Sequence, residues 1–254
     1  MADTAGGVVA GTRTWWSRAI LIGAVVAAAL LPIGALGARL GIWSFMGGFL
    51  LLAAGTVLAA IGLIVGIAAI IAANRRGLKD DKPAVYLGTL ISVLILALMG
   101  SQFMAAGSVP PIHNISTDVV DPPAFDKVVA LRGDSSNPLD YDAEQLAALQ
   151  QEAYPWVQTL ETDREPADAL ARAVQVLEGM GLEMVDVNDG AGIVEATDTT
   201  FWFGFKDDVV VRIRPQPDGS GALVDLRSVS RVGQSDVGAN ARRIGRFLEE
   251  FQKG

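Results

Sequence analysis

The feature that most constrains this chain is the absence of charge over three long apolar stretches. No Asp, Glu, Lys or Arg lies between Arg18 and Arg39, between Arg39 and Arg75, or between Lys82 and Asp118. Hydrocarbon offers no partner for backbone polar groups, so such stretches cross a membrane as helices, and about 20 apolar residues span about 30 Å. Three spans are predicted, over about residues 19–36, 43–73 and 84–107. The second is too long for one straight crossing at about 1.5 Å per residue. Its opening "WSFMGG" is read as interfacial, where Trp prefers to sit, and Trp15 and Trp16 as a similar anchor ahead of the first span. The first stretch also has the outline of a cleavable export signal, with Arg13 and Arg18 ahead of an apolar run ending in "GALGA". Two further spans follow it, and it is read as retained.

Lys and Arg near the spans set orientation. Arg13 and Arg18 precede the first span, Arg39 alone follows it, and Arg75, Arg76, Lys79 and Lys82 separate the second from the third. The N-terminus and the second loop are therefore expected in the cytoplasm. Everything after Gly107 is expected outside, which for a bacterial inner membrane means the periplasm.

Charge divides the chain in the same place. Residues 1–107 hold 7 Lys and Arg against 3 acidic residues, while residues 108–254 hold 13 against 25. A surplus of 12 negative charges makes the second part a poor nucleic-acid partner, because neutralising phosphate requires cations. The chain has no cysteine, which excludes disulfides, thiol catalysis and thiolate-held metals. Roughly 145 residues are enough to build a core without such staples.

Residues 108–254 read as a two-layer α+β domain. "GSVPPIHNISTDVVDPPAFDKV" leaves the membrane extended and proline-punctuated. Asp142 caps a short helix from Ala143 to about Glu152, and a helix starting at Pro166 aligns Leu170, Val174 and Leu177 before "GMG" ends it. The period then changes to two: "LEMVDV", "GIVEAT", "DVVVRIR" and "ALVDLRSVS" are read as strands of an antiparallel four-strand meander, joined by the turn sequences "NDGA" and "QPDGSG". A last helix from about Val237 to Phe251, capped by Ser235 or Asp236, puts Val237, Ala241, Ile244, Leu248 and Phe251 at helical spacing and is expected to turn Arg242, Arg243 and Arg246 away from that stripe.

Alternation places Arg212 and Arg214 opposite Val209, Val211 and Ile213, and places Asp225, Arg227 and Arg231 opposite Val224 and Leu226. As hairpin neighbours these arginines would form a basic patch on an open sheet face, able to hold a phosphate or carboxylate. The bland alternative is cross-strand neutralisation by Asp225 and other acids. "TTFWFGFKDD" has Phe201, Phe203 and Phe205 at strand spacing opposite Trp202, with Lys206, Asp207 and Asp208 as the following turn. Core packing is its ordinary reading; a hydrophobic ligand groove or membrane-facing lip involving Trp202 is the sharper one.

His113 is the only histidine. A zinc site would then depend on carboxylates, and no G-x-S-x-G is present to support a Ser-His-Asp triad. Catalytic candidates are limited to His113 and Asp121, and no metal or cofactor is expected. In the second span Gly62 and Gly66 form G-x-x-x-G, with Gly55 a further repeat back, which allows close helix contact within the bundle or a homo-oligomer between copies. No ionisable residue lies inside a span, which argues against a proton-coupled transporter.

"IHNISTD", "DPPAF", "VEATDTTFWFGFKDDVVVRIR" and "VDLRSVSRVGQSDVGANARRI" resemble the signature segments of domain of unknown function 1499, over about Pro110 to Phe251. The resemblance implies no activity, ligand or catalytic residue. It singles out His113, Asp121, Asp207, Asp208, Arg227 and Arg231 without giving them roles. The leading expectation is a binding module for an anionic or amphipathic envelope component or a partner protein, through Arg212, Arg214, Arg227, Arg231 and Trp202. Its competitor is a hydrolase of an envelope ester or phosphate using His113.

Overall fold

The computed structural model describes residues 14–253 and divides the chain into two compact units, one up to Met104 and one from Ala105. Arg13 lies outside the described residues.

The first unit is three helices, each long and apolar enough to cross a membrane: α1 (Trp15–Arg39), α2 (Phe45–Arg76) and α3 (Lys82–Gly107). Ser44 caps α2 by accepting from the Gly47 N–H, and Gly77, at φ 67°, ends it. Trp43 is held by α1 as well as by its place in the loop: its indole Nε1 donates to the Gly34 carbonyl at 3.0 Å, and its ring occupies the space where a Gly37 side chain would be. Three of the five glycines of α2, Gly55, Gly62 and Gly66, are used inside the bundle. A Cβ on Gly55 would stand 2.9 Å from the Ala27 carbonyl, one on Gly62 would stand 2.8 Å from Ser92 Oγ, and one on Gly66 would overlap Thr89 Oγ1. They let α1 and α3 approach the α2 backbone closely. Asp81, just before α3 and 3% exposed, accepts from Thr14 N, Thr14 Oγ1 and Ser17 Oγ, tying the α2–α3 connection to the start of α1.

The second unit is α+β. Its elements are β1 (Asn114–Ser116), α4 (Ala143–Ala153), β2 (Leu160–Thr162), α5 (Pro166–Gly179), β3 (Glu183–Asn188), β4 (Ile193–Thr199), β5 (Lys206–Pro215), β6 (Ala222–Ser230) and α6 (Ala239–Gln252). Strands β3 to β6 form the expected antiparallel meander. Two short strands extend it: β1 pairs with β6 at residues 227–229 and β2 pairs with β6 at residues 222–224, so six strands stand where four were read. Three-residue strands carry almost no periodicity, and only their pairing with β6 defines them.

One sheet face is the hydrophobic core. Val209, Val211 and Ile213 of β5 and Ala222, Val224 and Leu226 of β6 pack against Leu170, Ala173 and Leu177 of α5 and Ile244, Phe247 and Phe251 of α6. Each fully buried Val, Leu, Ile or Phe side chain here contributes about 1.5–3 kcal/mol, and Phe247, absent from the predicted stripe, is fully buried.

The other face is not open. Residues 117–141, irregular apart from a single 3-10 turn at Lys127–Leu131, lie across it as a strap. Buried Glu195 of β4 anchors that turn, accepting from the backbone N–H groups of Asp126 and Val128.

Candidate functional site

The strap turns the expected basic patch into a buried layer of paired charge. Register places Arg212 directly opposite Asp225, Arg214 opposite Leu223 and Arg227 opposite Val210. No two of the arginines therefore face each other across the strands, and the one charged pair is of opposite sign. Asp225, fully buried, accepts from Thr159 Oγ1 at 2.6 Å, Arg214 at 2.7 Å, Arg212 at 3.1 Å and Thr117 Oγ1 at 3.3 Å. From the strap, Asp118 meets Arg212 at 3.1 Å and Arg214 at 3.2 Å, and Asp121 meets Arg212 at 2.9 Å. Burial pushes the Asp118 carboxyl up, but the N–H groups of Asp121 and Val120 and the two guanidiniums outweigh it and hold it below the ordinary value. Among the described residues the buried Nε–H groups of Arg212 and Arg214 have no acceptor.

Arg227 is 4% exposed and, among the described residues, pairs with no carboxylate. It donates to Asn114 Oδ1 and to the carbonyls of Pro123 and Leu139, and its Cζ lies 5.4 Å from the Phe125 ring centroid and 5.6 Å from that of Tyr141. Burial lowers this guanidinium to about 10 and raises the Tyr141 hydroxyl to about 12. The planar fork reads two segments of strap backbone at once, which a point charge on a flexible stem does poorly. Arg231 donates to Asp208 at 2.7 Å and to the Leu131 carbonyl at 2.7 Å, while Arg132 of the strap meets the same Asp208 carboxylate and Thr197 Oγ1 donates to it at 2.9 Å.

Two expectations change here. Asp207 and Asp208 belong to β5 and not to a turn, and successive strand residues face opposite ways. Asp207 therefore enters the helix side of the sheet, where it meets Arg243 of α6 at 2.7 Å. Arg243 was expected to face away from the core; instead it is 8% exposed, with Asp198 at 2.6 Å and bonds to Ser228 Oγ and Asn240 Oδ1. Burial lowers its guanidinium, and the neighbouring Asp207 and Asp198 carboxylates more than restore it. A buried arginine among apolar neighbours has the same sequence spacing as a solvated one, so the Asp198–Asp207 cross-strand pair is what reveals it. Asp236 stands just ahead of α6 and accepts from Gly238 N and Asn240 N; burial raises its carboxyl above the ordinary value.

The catalytic candidates are not brought together. His113 Nδ1 lies 3.3 Å from the Gln234 carbonyl, and its own carbonyl accepts from Ser230 N at the end of β6. Asp121 is bound to Arg212, opposite Asp225. Five residues of β6 separate those positions, about 17 Å at the rise of a strand. Among the described residues no group of three or more His, Asp or Glu is placed to hold a metal.

Trp202 lies elsewhere again. The aromatic run is not a strand: Gly204 at φ 68° and the bonds Thr200 N to the Phe205 carbonyl and Gly204 N to the Thr200 carbonyl close it into a turn between β4 and β5. The signal in the sequence is Gly204 itself, since a position needing positive φ breaks a strand. Phe201 is 69% exposed and Trp202 54% exposed, packed edge to face at 5.2 Å, while Phe203 stacks on Phe205 at 5.1 Å.

The fold and this site define a membrane-anchored α+β protein whose sheet has an apolar core on one face and a strapped-down layer of paired charge on the other. The chain belongs to the family described as protein of unknown function (DUF1499), whose model matches residues 114–251. No curated protein matches the sequence.

Proposed function

We propose that this is an inner-membrane protein, N-terminus in the cytoplasm, that presents its α+β domain to the periplasm as a non-enzymatic binding module for an amphipathic component of the envelope. The exposed Phe201–Trp202 pair carries the reading. Large aromatic side chains with an apolar body and, in Trp, a polar N–H suit a ligand or partner that is half apolar and half wet, and an exposed aromatic cluster is the kind of surface that binds. The lysines and arginines flanking the spans support the orientation.

An anionic ligand on the arginines is the weaker form of this proposal. Arg212, Arg227 and Arg231 are spent on internal bonds, and Arg214, with its side chain 38% exposed, lies at the other end of β5 from the aromatic turn.

The test is native mass spectrometry with lipidomics on full-length protein taken gently from its own membrane. A copurifying amphipathic species should be lost in Phe201→Ala with Trp202→Ala while the thermal transition stays in place. Retention of that species in the double variant would remove the assignment.

A further inference from the structure

The two ends of the meander are built differently. At one end its turns, residues 189–192 and 216–221, are polar, with glycine where positive φ is needed. The turn at the other end, residues 200–205, also uses a glycine at positive φ, yet it exposes Phe201 and Trp202. Closing a turn needs the glycine and not the aromatics, so the difference has a cause outside the turn. The aromatic end is also where the chain enters the sheet. There β1 begins, with Asn114 opposite Val229 near the end of β6. Only residues 108–113 separate β1 from α3, and they are folded onto this same end. The Ile112 carbonyl accepts from Asp236 N, the His113 carbonyl accepts from Ser230 N, and Val109 lies against Gly238, where a Cβ would meet its Cγ1 at 3.5 Å. Val109 is two residues past Gly107, where α3 ends. The nine residues of β6 set the polar turns about 30 Å away.

That tether decides between occupants. Because α3 is long and apolar enough to cross a membrane, an end of the sheet fastened two residues beyond it is kept close to the surface of the bilayer that α3 leaves. Trp prefers that depth, with its ring at the headgroup level. Charge would not hold the domain there, since residues 108–254 carry 25 acidic residues against 13 Lys and Arg. The contact is therefore apolar. Val237 adds an independent point. Among the described residues it is the one non-glycine residue at positive φ, 53°, a conformation that strains a β-branched side chain and that Asn adopts more readily. It adjoins Gly238, the neighbour of Val109, and its exposed side chain lies outside the hydrophobic core. The bilayer surface supplies the apolar contact that the core does not.

We propose that Phe201 and Trp202, with Val237, dip into the headgroup boundary of the bilayer that α3 crosses, so that the amphipathic component they bind is the phospholipid of the membrane itself. The proposal rests on the aromatic pair being a binding surface. With no native cysteine in the chain, one nitroxide label can be placed at Phe201→Cys, Trp202→Cys or Val237→Cys, with Ser220→Cys in the far turn as reference. Each variant is used at full length in phosphatidylcholine vesicles. Power-saturation EPR then compares access to oxygen, which enters lipid, with access to a water-soluble nickel chelate, which does not. At positions 201 and 202 nickel access should fall at least about tenfold below that at 220, the population ratio that burial of one such ring sustains. Oxygen access should rise at all three test positions, and high salt should change neither reading. Nickel access at 201 and 202 equal to that at 220 overturns the proposal. So does low access to both reagents, which would mean that protein covers the turn. Labels in water, with the copurifying species still lost in Phe201→Ala with Trp202→Ala, would remove this inference and leave the binding module standing. Labels in lipid, with that species retained in the double variant, would do the reverse.

Discussion

Asp207 and Asp208 are successive residues of β5 whose carboxylates enter opposite faces of one sheet, the first meeting Arg243 and the second Arg231, each at 2.7 Å. Both are almost wholly buried. One strand thereby fastens α6 on one side and the strap on the other, and charge does the fastening in both places.

Removing one member of a buried pair leaves the other uncompensated, at a cost of about 3–5 kcal/mol. Asp208→Ala strands both Arg132 and Arg231. A drop in thermal stability of that order is expected, with faster amide exchange over residues 117–141 and little change in α5. Unchanged exchange in the strap would show that Asp208 does not hold it.

Arg227→Lys should be costly although charge is kept. Lysine cannot reach Asn114 Oδ1 and the carbonyls of Pro123 and Leu139 together, and an unsatisfied buried polar group costs about 1–3 kcal/mol. Denaturant unfolding of Arg227→Lys beside Asn114→Ala measures this, the lysine variant being expected to lose more. Equal stability of Arg227→Lys and wild type would contradict the bidentate role.

Acid should loosen the strap near Asp118. Its native carboxyl is held below the ordinary value of 3.8, so the native state binds fewer protons than the unfolded chain. The stability it contributes is complete above that ordinary value and fades as pH falls through the lowered native one. Amide exchange at residues 117–123 should rise on acidification through this range, and Asp118→Asn should flatten that dependence while raising exchange at neutral pH.

The bundle makes a steric prediction. Gly66→Ala drives a methyl into Thr89 Oγ1 and should destabilise the full-length protein in detergent, and Thr89→Ala should rescue it. A thermal-shift double-mutant cycle measures the coupling. If Gly66→Ala changed the number of copies per particle and left the melting temperature alone, the glycine would serve contacts between chains.

By itself the sequence determined three apolar helices, an antiparallel meander from four alternating stretches, and an amphipathic last helix, because each follows from a local period that burial imposes. It also placed Arg212, Arg214 and Arg227 on the non-core side of β5 and β6, and Arg231 on the same side one residue past the end of β6, as alternation requires. Tertiary structure alone decided that this side is covered. The strap has no periodicity to read, and its position comes from Asp118, Arg132 and the carbonyls of Pro123 and Leu139 meeting sheet residues roughly 75 to 105 positions away. The same holds for Arg243, where spacing along α6 describes a solvated arginine and only the Asp198 and Asp207 carboxylates across the layer make burial favourable. Local patterns report which face a residue occupies, while the partners that make a buried charge stable are distant in sequence and are found only when the chain has folded.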